Sequence, residues 1–335
     1  MTVTGMKNIF YAAACIAALS YAGCGSSDTA PVACDAARMR RTIEVLASDS
    51  LEGRRAASGN DLRAARYLAE ELRKAGCEPL WEEMEVPFGM GDAADRRGMR
   101  SVLDGEWSDS SCNVVAVIRS GRPDADKILL GAHYDHMGRF KKDKGTTTAG
   151  DVLYGANDNA SGTAAVAEIA RLLAPRAAEF RHDLIVALFG AEEMGLIGSR
   201  HLERMLRDSS ITVGHMVNRE MLGRMRGDTL MLSSGATCRL VEAAERVPHT
   251  DSLTVCVADR YSMGSDHAAF AQRMIPVSFF VTTDCSTLHR ATDTAESLDM
   301  RGMEKAVNYI AQYVRLLLTD EQLPQLKDPE PTLKR

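Results

Sequence analysis

Two absences narrow the function of this 335-residue chain before any motif is read. There is no Lys/Arg-rich block or stripe, and the net charge is a mild −6, so the electrostatic footprint of a nucleic-acid binder is missing. None of the eight cysteines forms a Cys-x-x-Cys pair, which argues against a zinc site built from cysteine. Internal repeats and low-complexity blocks are also lacking. The apolar stretch Ile9 to Ala22 runs for about 14 residues, short of the ~20 needed to cross a bilayer as a helix. What remains, with 45% hydrophobic and 26% charged residues, is an ordinary composition for a soluble globular chain with one large core.

That apolar stretch has a different reading. Lys7 precedes it, and Cys24 followed by the polar G-S-S-D-T-A-P succeeds it, the layout of a bacterial export signal ending at a lipoprotein-type cysteine. Ala22 and Gly23 suit lipoprotein processing, whereas Tyr21 stands where an aliphatic residue is more usual, so plain secretion is the alternative. The expected organisation is a signal peptide over 1–23, lipidation at Cys24, a flexible tether over 24–35, one domain over 36–320 and a Pro-rich, charged tail over 321–335. Such a chain would be exported to the periplasm or the outer-membrane or cell surface, touching membrane only through its anchor. Beyond Cys15 and Cys24, six cysteines allow many disulfide patterns, and buried free thiols are an equal alternative.

From residue 36 onward helical and strand periodicities alternate. Ala36 to Ala47 and Gly59 to Ala75 read as amphipathic helices, the second with Leu62, Ala65, Leu68 and Leu72 at helical spacing. Glu83 to Phe88, Asn113 to Ile118, Lys127 to Ala132 and Asp183 to Phe189 read as strands. Ser161 to Leu173 supplies a helix between the last two. Further strands are expected at Thr212 to Asn218, Thr229 to Leu232, Ser252 to Val257 and Pro276 to Val281, with a closing helix at Met300 to Leu318. This order is the crossover grammar of an α/β fold: a three-layer sandwich with a mixed, mostly parallel, twisted central sheet flanked by helices. The segments 89–111 and 138–154 read as polar, Gly-rich loops, expected with 256–265 to shape a substrate pocket.

Ligand-type residues fall at the C-terminal ends of these strands, where open α/β sheets build their sites. H-Y-D-H at His133 to His136 ends one strand, and the i, i+2 spacing lets Asp135 hydrogen-bond the second nitrogen of His133 and raise its basicity. G-A-N-D-N-A-S-G follows at Gly155 to Gly162, then A-L-F-G-A-E-E-M-G at Ala187 to Gly195, with Glu220 after the strand near Val217. His289 lies in T-L-H-R-A-T-D-T. Alone, His133 would be an ordinary strand-end histidine, Asp158 a turn former and Glu192 and Glu193 solvated charges. The remaining histidines, His136, His182, His201, His215 and His249, read as surface or packing residues. The N-A-S triplet at Asn159 matches a glycosylation signal but sits inside the turn.

Together with L-A-S-D-S-L-E-G-R at Leu46 to Arg54 and S-D-H at Ser265 to His267, these segments give a chain that resembles the co-catalytic dizinc exopeptidases, which include bacterial leucyl aminopeptidases and glutamate carboxypeptidases. The resemblance spans roughly Arg38 to Leu318. It implies two Zn2+ ions, one held by His133, Asp158 and Glu220 and the other by Asp158, Glu193 and His289, with Asp158 bridging and preceding a cis peptide bond. It also implies Glu192 as general base acting on peptide substrates, with Asp135, the partner of His133, as the second catalytic residue. The family usually carries aspartate where this chain has Glu220; glutamate is a competent oxygen ligand with a longer arm. His267 is either a donor to the tetrahedral intermediate or part of a helix cap formed by Ser265 or Asp266. The implied function is an exported zinc aminopeptidase. The alternatives are a single-zinc glutaminyl cyclase-like acyltransferase and a non-catalytic binding lipoprotein of the same fold.

Overall fold

The computed structural model describes residues 33–92, 98–145, 147–233, 240–248, 252–258, 264–321 and 323–324. The segment read as an export signal, Cys24, Cys238 and His249 lie outside these. At the centre is a nine-stranded sheet whose path runs β1 (Glu78–Pro79), β3 (Ser110–Ile118), β7 (Asp183–Phe189), β4 (Lys127–His133), β8 (Val213–Glu220), β11 (Val277–Thr282), β9 (Thr229–Ser233) and β10 (Thr254–Ala258), with β2 (Glu85–Gly89) also paired to β3. β7, β4, β8 and β11 are mutually parallel, while β3 and β9 join them antiparallel. A small hairpin of β5 (Gly138–Arg139) and β6 (Val152–Leu153) stands apart.

The two innermost strands explain the order. β7 is buried along its whole length and β4 nearly so, which is why both read as continuous apolar runs instead of alternating ones. One face of the sheet is covered by α1 (Ala36–Leu46), α2 (Asn60–Lys74), α3 (Gly162–Leu173) and α7 (Met300–Thr319), which contribute Ile43, Leu68, Ile169 and Ile310 to one apolar cluster. The other face receives α4 (Ile197–Asp208) and α6 (His267–Ala271) through Leu202, Leu206 and Phe270. Truncating any such fully buried aliphatic side chain to alanine would cost about 2–5 kcal/mol. Helix starts are fixed locally: Asp35 accepts from the Arg38 N–H and Asp299 from the Gly302 N–H, each at 2.9 Å, satisfying otherwise orphaned donors.

Three expectations are corrected here. The run 197–208, met only as the end of a motif, is helix α4, and 240–245 forms a short helix, α5. β8 extends to Glu220 itself, so this residue ends the strand and does not follow it. The loops 89–111 and 138–154 carry their own apolar cluster, with Met90, Met99, Leu103, Phe140 and Leu153 buried, and their polar composition conceals it. Among the described cysteines none is paired: Cys34, Cys77, Cys112, Cys256 and Cys285 are free thiols.

Candidate active site

The parallel order delivers the ligand-type residues side by side. His133 is the last residue of β4, Glu220 the last of β8, Glu192 and Glu193 follow β7, and His289 follows β11. Asp158 arrives from the turn before α3. Its Oδ1 lies 3.3 Å from His133 Nε2, which is also 3.5 Å from Glu220 Oε1. Its Oδ2 lies 3.3 Å from His289 Nε2, which is also 3.3 Å from Glu193 Oε1. The aspartate thus faces both groups, and the bond from Asp158 to Asn159 is cis.

The turn is built by its own side chains. Gly155 opens it in the left-handed region at φ +61°, where an added Cβ would meet the Asp158 carbonyl oxygen at 2.2 Å. Asn157 Oδ1 accepts from the Gly223 N–H, Asn159 Oδ1 accepts from the Gly162 and Met221 N–H groups, and Ser161 Oγ accepts from the Leu222 N–H. These residues therefore tie the turn to the N-R-E-M-L-G segment that ends β8. Asn159 is fully buried, which removes the glycosylation reading. From the other side, the Asp293 carboxylate accepts the N–H groups of Asn157 at 2.8 Å and Asp158 at 3.0 Å.

Two positioning residues were not read from the sequence as such. Arg54 is fully buried and donates to the carbonyls of Leu46 at 3.1 Å and Gly155 at 2.6 Å, and to those of Tyr134 and Tyr154. It thereby clamps H-Y-D-H against the Asp158 turn. Burial pulls the guanidinium down to about 10, opposed by the charges of Asp135, Asp158, Asp293 and Glu193, so at neutral pH it remains the resident cation beside those carboxylates. The second is His136, assigned above to surface or packing. It is fully buried with Nδ1 2.8 Å from Glu193 Oε1. The signal for it was its place three residues after His133, but spacing alone does not say which way the chain turns beyond a strand end.

Asp135 behaves differently from expectation. His133 Nδ1 hydrogen-bonds the Asp135 main-chain carbonyl at 3.1 Å, while the nearest carboxylate oxygen is 3.7 Å away. That carboxylate accepts the backbone N–H of Glu192 at 3.0 Å instead. His267 lies over Phe279, ring centroids 4.4 Å apart, with its Nδ1 3.3 Å from Asn218 Nδ2. Asn218 also donates to Ser265 Oγ at 2.9 Å, and Ser265 donates to Glu220. The Asp266 side chain makes no capping bond to α6. His182, His201 and His215 lie outside the cluster of donors.

Charge explains what the cluster requires. Burial would push Asp158 and Glu193 up, yet hydrogen bonds from His133 and His289 drive Asp158 well below the usual range, and those from His136 and His289 hold Glu193 at about 2. His289 is raised to about 10 by its bonds to Asp158 and Glu193. Glu192, half-buried and facing Glu220, Glu193 and Asp266, is pushed well above an ordinary carboxyl by desolvation and those charges, despite the charge of His133. Among the described residues, two groups have donors close enough to hold a metal ion: His133, Asp158 and Glu220, and His136, Asp158 and Glu193, their donor atoms within 4.8 Å of one another. Imidazole and carboxylate donors suit zinc. His136 Nδ1 lies 2.8 Å from Glu193 Oε1, while its buried Nε2 has no hydrogen-bond partner.

The donors open onto a cleft of about 650 Å³ walled by Leu196, Arg200, Met221, Phe279, Val281 and Leu288. Among the described residues, none of this wall comes from 89–111 or 138–154; residues 264–265 alone represent the loops expected there.

Comparison with known proteins places this geometry. A "Probable zinc metalloprotease" of Leptosphaeria maculans is 36% identical over 116 residues, 35% of this chain and 25% of that protein. A "Probable leucine aminopeptidase" of Trichophyton verrucosum is 28% identical over 206 residues, 57% of this chain and 52% of its own. The chain spans between 25% and 33% of the length of the first curated relatives it matches. Among solved structures, the LapA aminopeptidase of Legionella pneumophila shares the fold at TM-score 0.65 and 22% identity, over 86% of this chain and 73% of that one. The glutaminyl cyclase of Bacteroides thetaiotaomicron does so at 0.63 and 16%, over 87% and 100%. The family model for peptidase family M28 matches residues 113–314, from within β3 to within α7 and across the whole cluster of donors, and on that match the chain belongs to peptidase family M28.

Proposed function

We propose that the protein is a two-zinc aminopeptidase acting on short peptides. The observation that carries this reading is the shared Asp158, whose two carboxylate oxygens face separate histidines, His133 and His289, at 3.3 Å each. His133, Asp158 and Glu220 would hold one zinc, and Asp158, Glu193 and His289 the other. Bound there, the pair would supply a water acidic enough to attack at neutral pH and positive charge for the substrate carbonyl.

The chain's own residues do the rest. Glu192, lining the cleft and raised well above an ordinary carboxyl by burial and its acidic neighbours, takes the proton of the attacking water and passes it to the leaving amine. Asp135 fixes the Glu192 backbone. Asn218 donates to Nδ1 of His267, which leaves the proton on Nε2, a donor for the carbonyl oxygen as it becomes tetrahedral. Leu196, Met221, Phe279, Val281 and Leu288 give the cleft apolar walls, which supports apolar side chains at the cleaved residue. The Lys7 to Cys24 segment supports export, with a lipid anchor at Cys24.

Zinc content of the purified protein and assays on free-N-terminus, N-blocked and N-terminal glutaminyl peptides test the reading. Two zinc ions per chain and cleavage only of peptides with a free N-terminus are expected. One zinc with ring closure of glutaminyl peptides would replace it with the cyclase reading.

A further inference from the structure

We infer that Arg200 binds a substrate carboxylate just beyond the scissile bond, either the C-terminus of a dipeptide or tripeptide or the side chain of an acidic residue there. The inference rests on the aminopeptidase reading above and names what that site selects. Among the described residues, Arg200 is the single Lys or Arg that lines the cleft. Its side chain is exposed and makes no hydrogen bond or ion pair with them. The acid one turn further along α4 is already taken, since Glu203 pairs with Arg207 at 3.8 Å and with Arg273 at 3.3 Å. The acids lining the cleft are committed as well: Asp158, Glu193 and Glu220 face histidines, and Glu192 is the base. A cation thus borders the cleft without a counter-charge, among apolar walls that strengthen its attraction for an anion.

The direction follows from the sheet order. The N–H groups of Gly195 and Leu196 both donate to the Glu192 carbonyl, at 2.8 and 2.9 Å, and the Arg200 N–H donates to the Leu196 carbonyl at 3.2 Å. Arg200 is therefore carried on the same short, hydrogen-bonded run as Glu192, which hands its proton to the leaving amine. Met221, Phe279, Val281 and Leu288 belong to β11 or follow β8 and β11, on the other side of β4 from β7. With the side chain of the cleaved residue on that apolar side, the leaving residue lies on the β7 side, and its carboxylate is the group that meets Arg200. The planar guanidinium fork matches a carboxylate with two parallel hydrogen bonds. A longer neutral peptide would present an amide carbonyl there instead, so one cation can set the length of the substrate.

The test uses the full-length, zinc-loaded protein as wild type, Arg200→Gln, Arg200→Lys and Arg200→Glu. kcat/KM is measured on Leu-Ala against its C-terminal amide, and on the amide of Leu-Glu against that of Leu-Gln. Calorimetry measures binding of non-cleavable mimics of all four, with the scissile amide replaced by a methylene-amine. Wild type should prefer the charged member of at least one pair, in cleavage and in binding, by roughly tenfold or more, the scale of one hydrogen bond to a charged group. A preference in the first pair assigns the C-terminus, and one in the second the side chain. Arg200→Gln should erase the preference, Arg200→Lys keep part of it and Arg200→Glu reverse it, a reversal that damage to the fold would not produce. No preference in wild type, or one that persists in Arg200→Gln, overturns the inference. If wild type cleaves none of the peptides yet binds the charged mimics with an Arg200-dependent preference, the aminopeptidase reading fails and the carboxylate site stands. No cleavage and no such preference removes both.

Discussion

The Asp135 carboxylate holds Glu192 by its backbone N–H at 3.0 Å, while the His133 imidazole rests on the main-chain carbonyl of the same aspartate at 3.1 Å. One residue therefore supports two neighbours through different atoms, and only one of those supports is removable by mutation. Asp135→Ala should lower kcat roughly 10–100-fold while both metals stay bound. Metal counting beside steady-state kinetics checks this; loss of one ion with unchanged turnover per remaining site would show that the carboxylate serves His133 after all.

Adjacent glutamates should separate cleanly. Glu192→Gln is expected to retain both ions and lose turnover by a factor on the order of 10² or more, as for removal of a general base. Glu193→Gln should lose metal instead, because Glu193 lies among the donors of the second group. Equal activity of wild type and Glu192→Gln would remove the proton-transfer role.

Sharing of Asp158 makes a further distinction. Asp158→Ala should disturb both ions, and Glu220→Ala only the one beside His133, since Glu220 Oε1 is 3.5 Å from that imidazole. Glu220→Asp should keep activity, the shorter arm being the one more usual in the family. Stoichiometry measured on each purified variant decides the point.

Stability should fall with acid for a reason away from the site. His215 is fully buried with its Nε2 2.7 Å from Ser278 Oγ, and burial lowers it from the ordinary 6.5 to about 3. A folded-state value below the unfolded one means that the unfolded chain takes up the proton first. The contribution is complete above about 6.5 and is lost as pH falls from there toward about 3. His215→Gln, which keeps a partner for Ser278 and removes the titration, should flatten the loss in that window; urea midpoints at pH 7 and pH 5 for both proteins measure it.

What could be read from the sequence followed from period and order. β4 and β7 announce themselves as unbroken apolar runs, α2 and α3 as helical stripes, and the donors by their places after strands. His136 was missed because burial, not spacing, gives it meaning, and burial depends on Gly155 lying opposite in space. Arg54 was met only within a motif because its partners are carbonyls from separate segments, and carbonyls leave no mark on a sequence. α4 was missed because Gly195 and Gly198 lower helix propensity at its start, while the Leu202 and Leu206 that dock it carry the period four residues at a time.

The strands that carry the donors, β7, β4, β8 and β11, lie inside the sheet, with β3 and its small partners along one margin and β9 and β10 along the other. A strand added, shortened or exchanged at either margin would change the rim of the molecule and the reach of its surface loops while leaving the floor of the cleft in register. Variation can therefore accumulate at the periphery with the cluster of donors untouched. The same margins are where a designer could graft a new recognition element onto this scaffold.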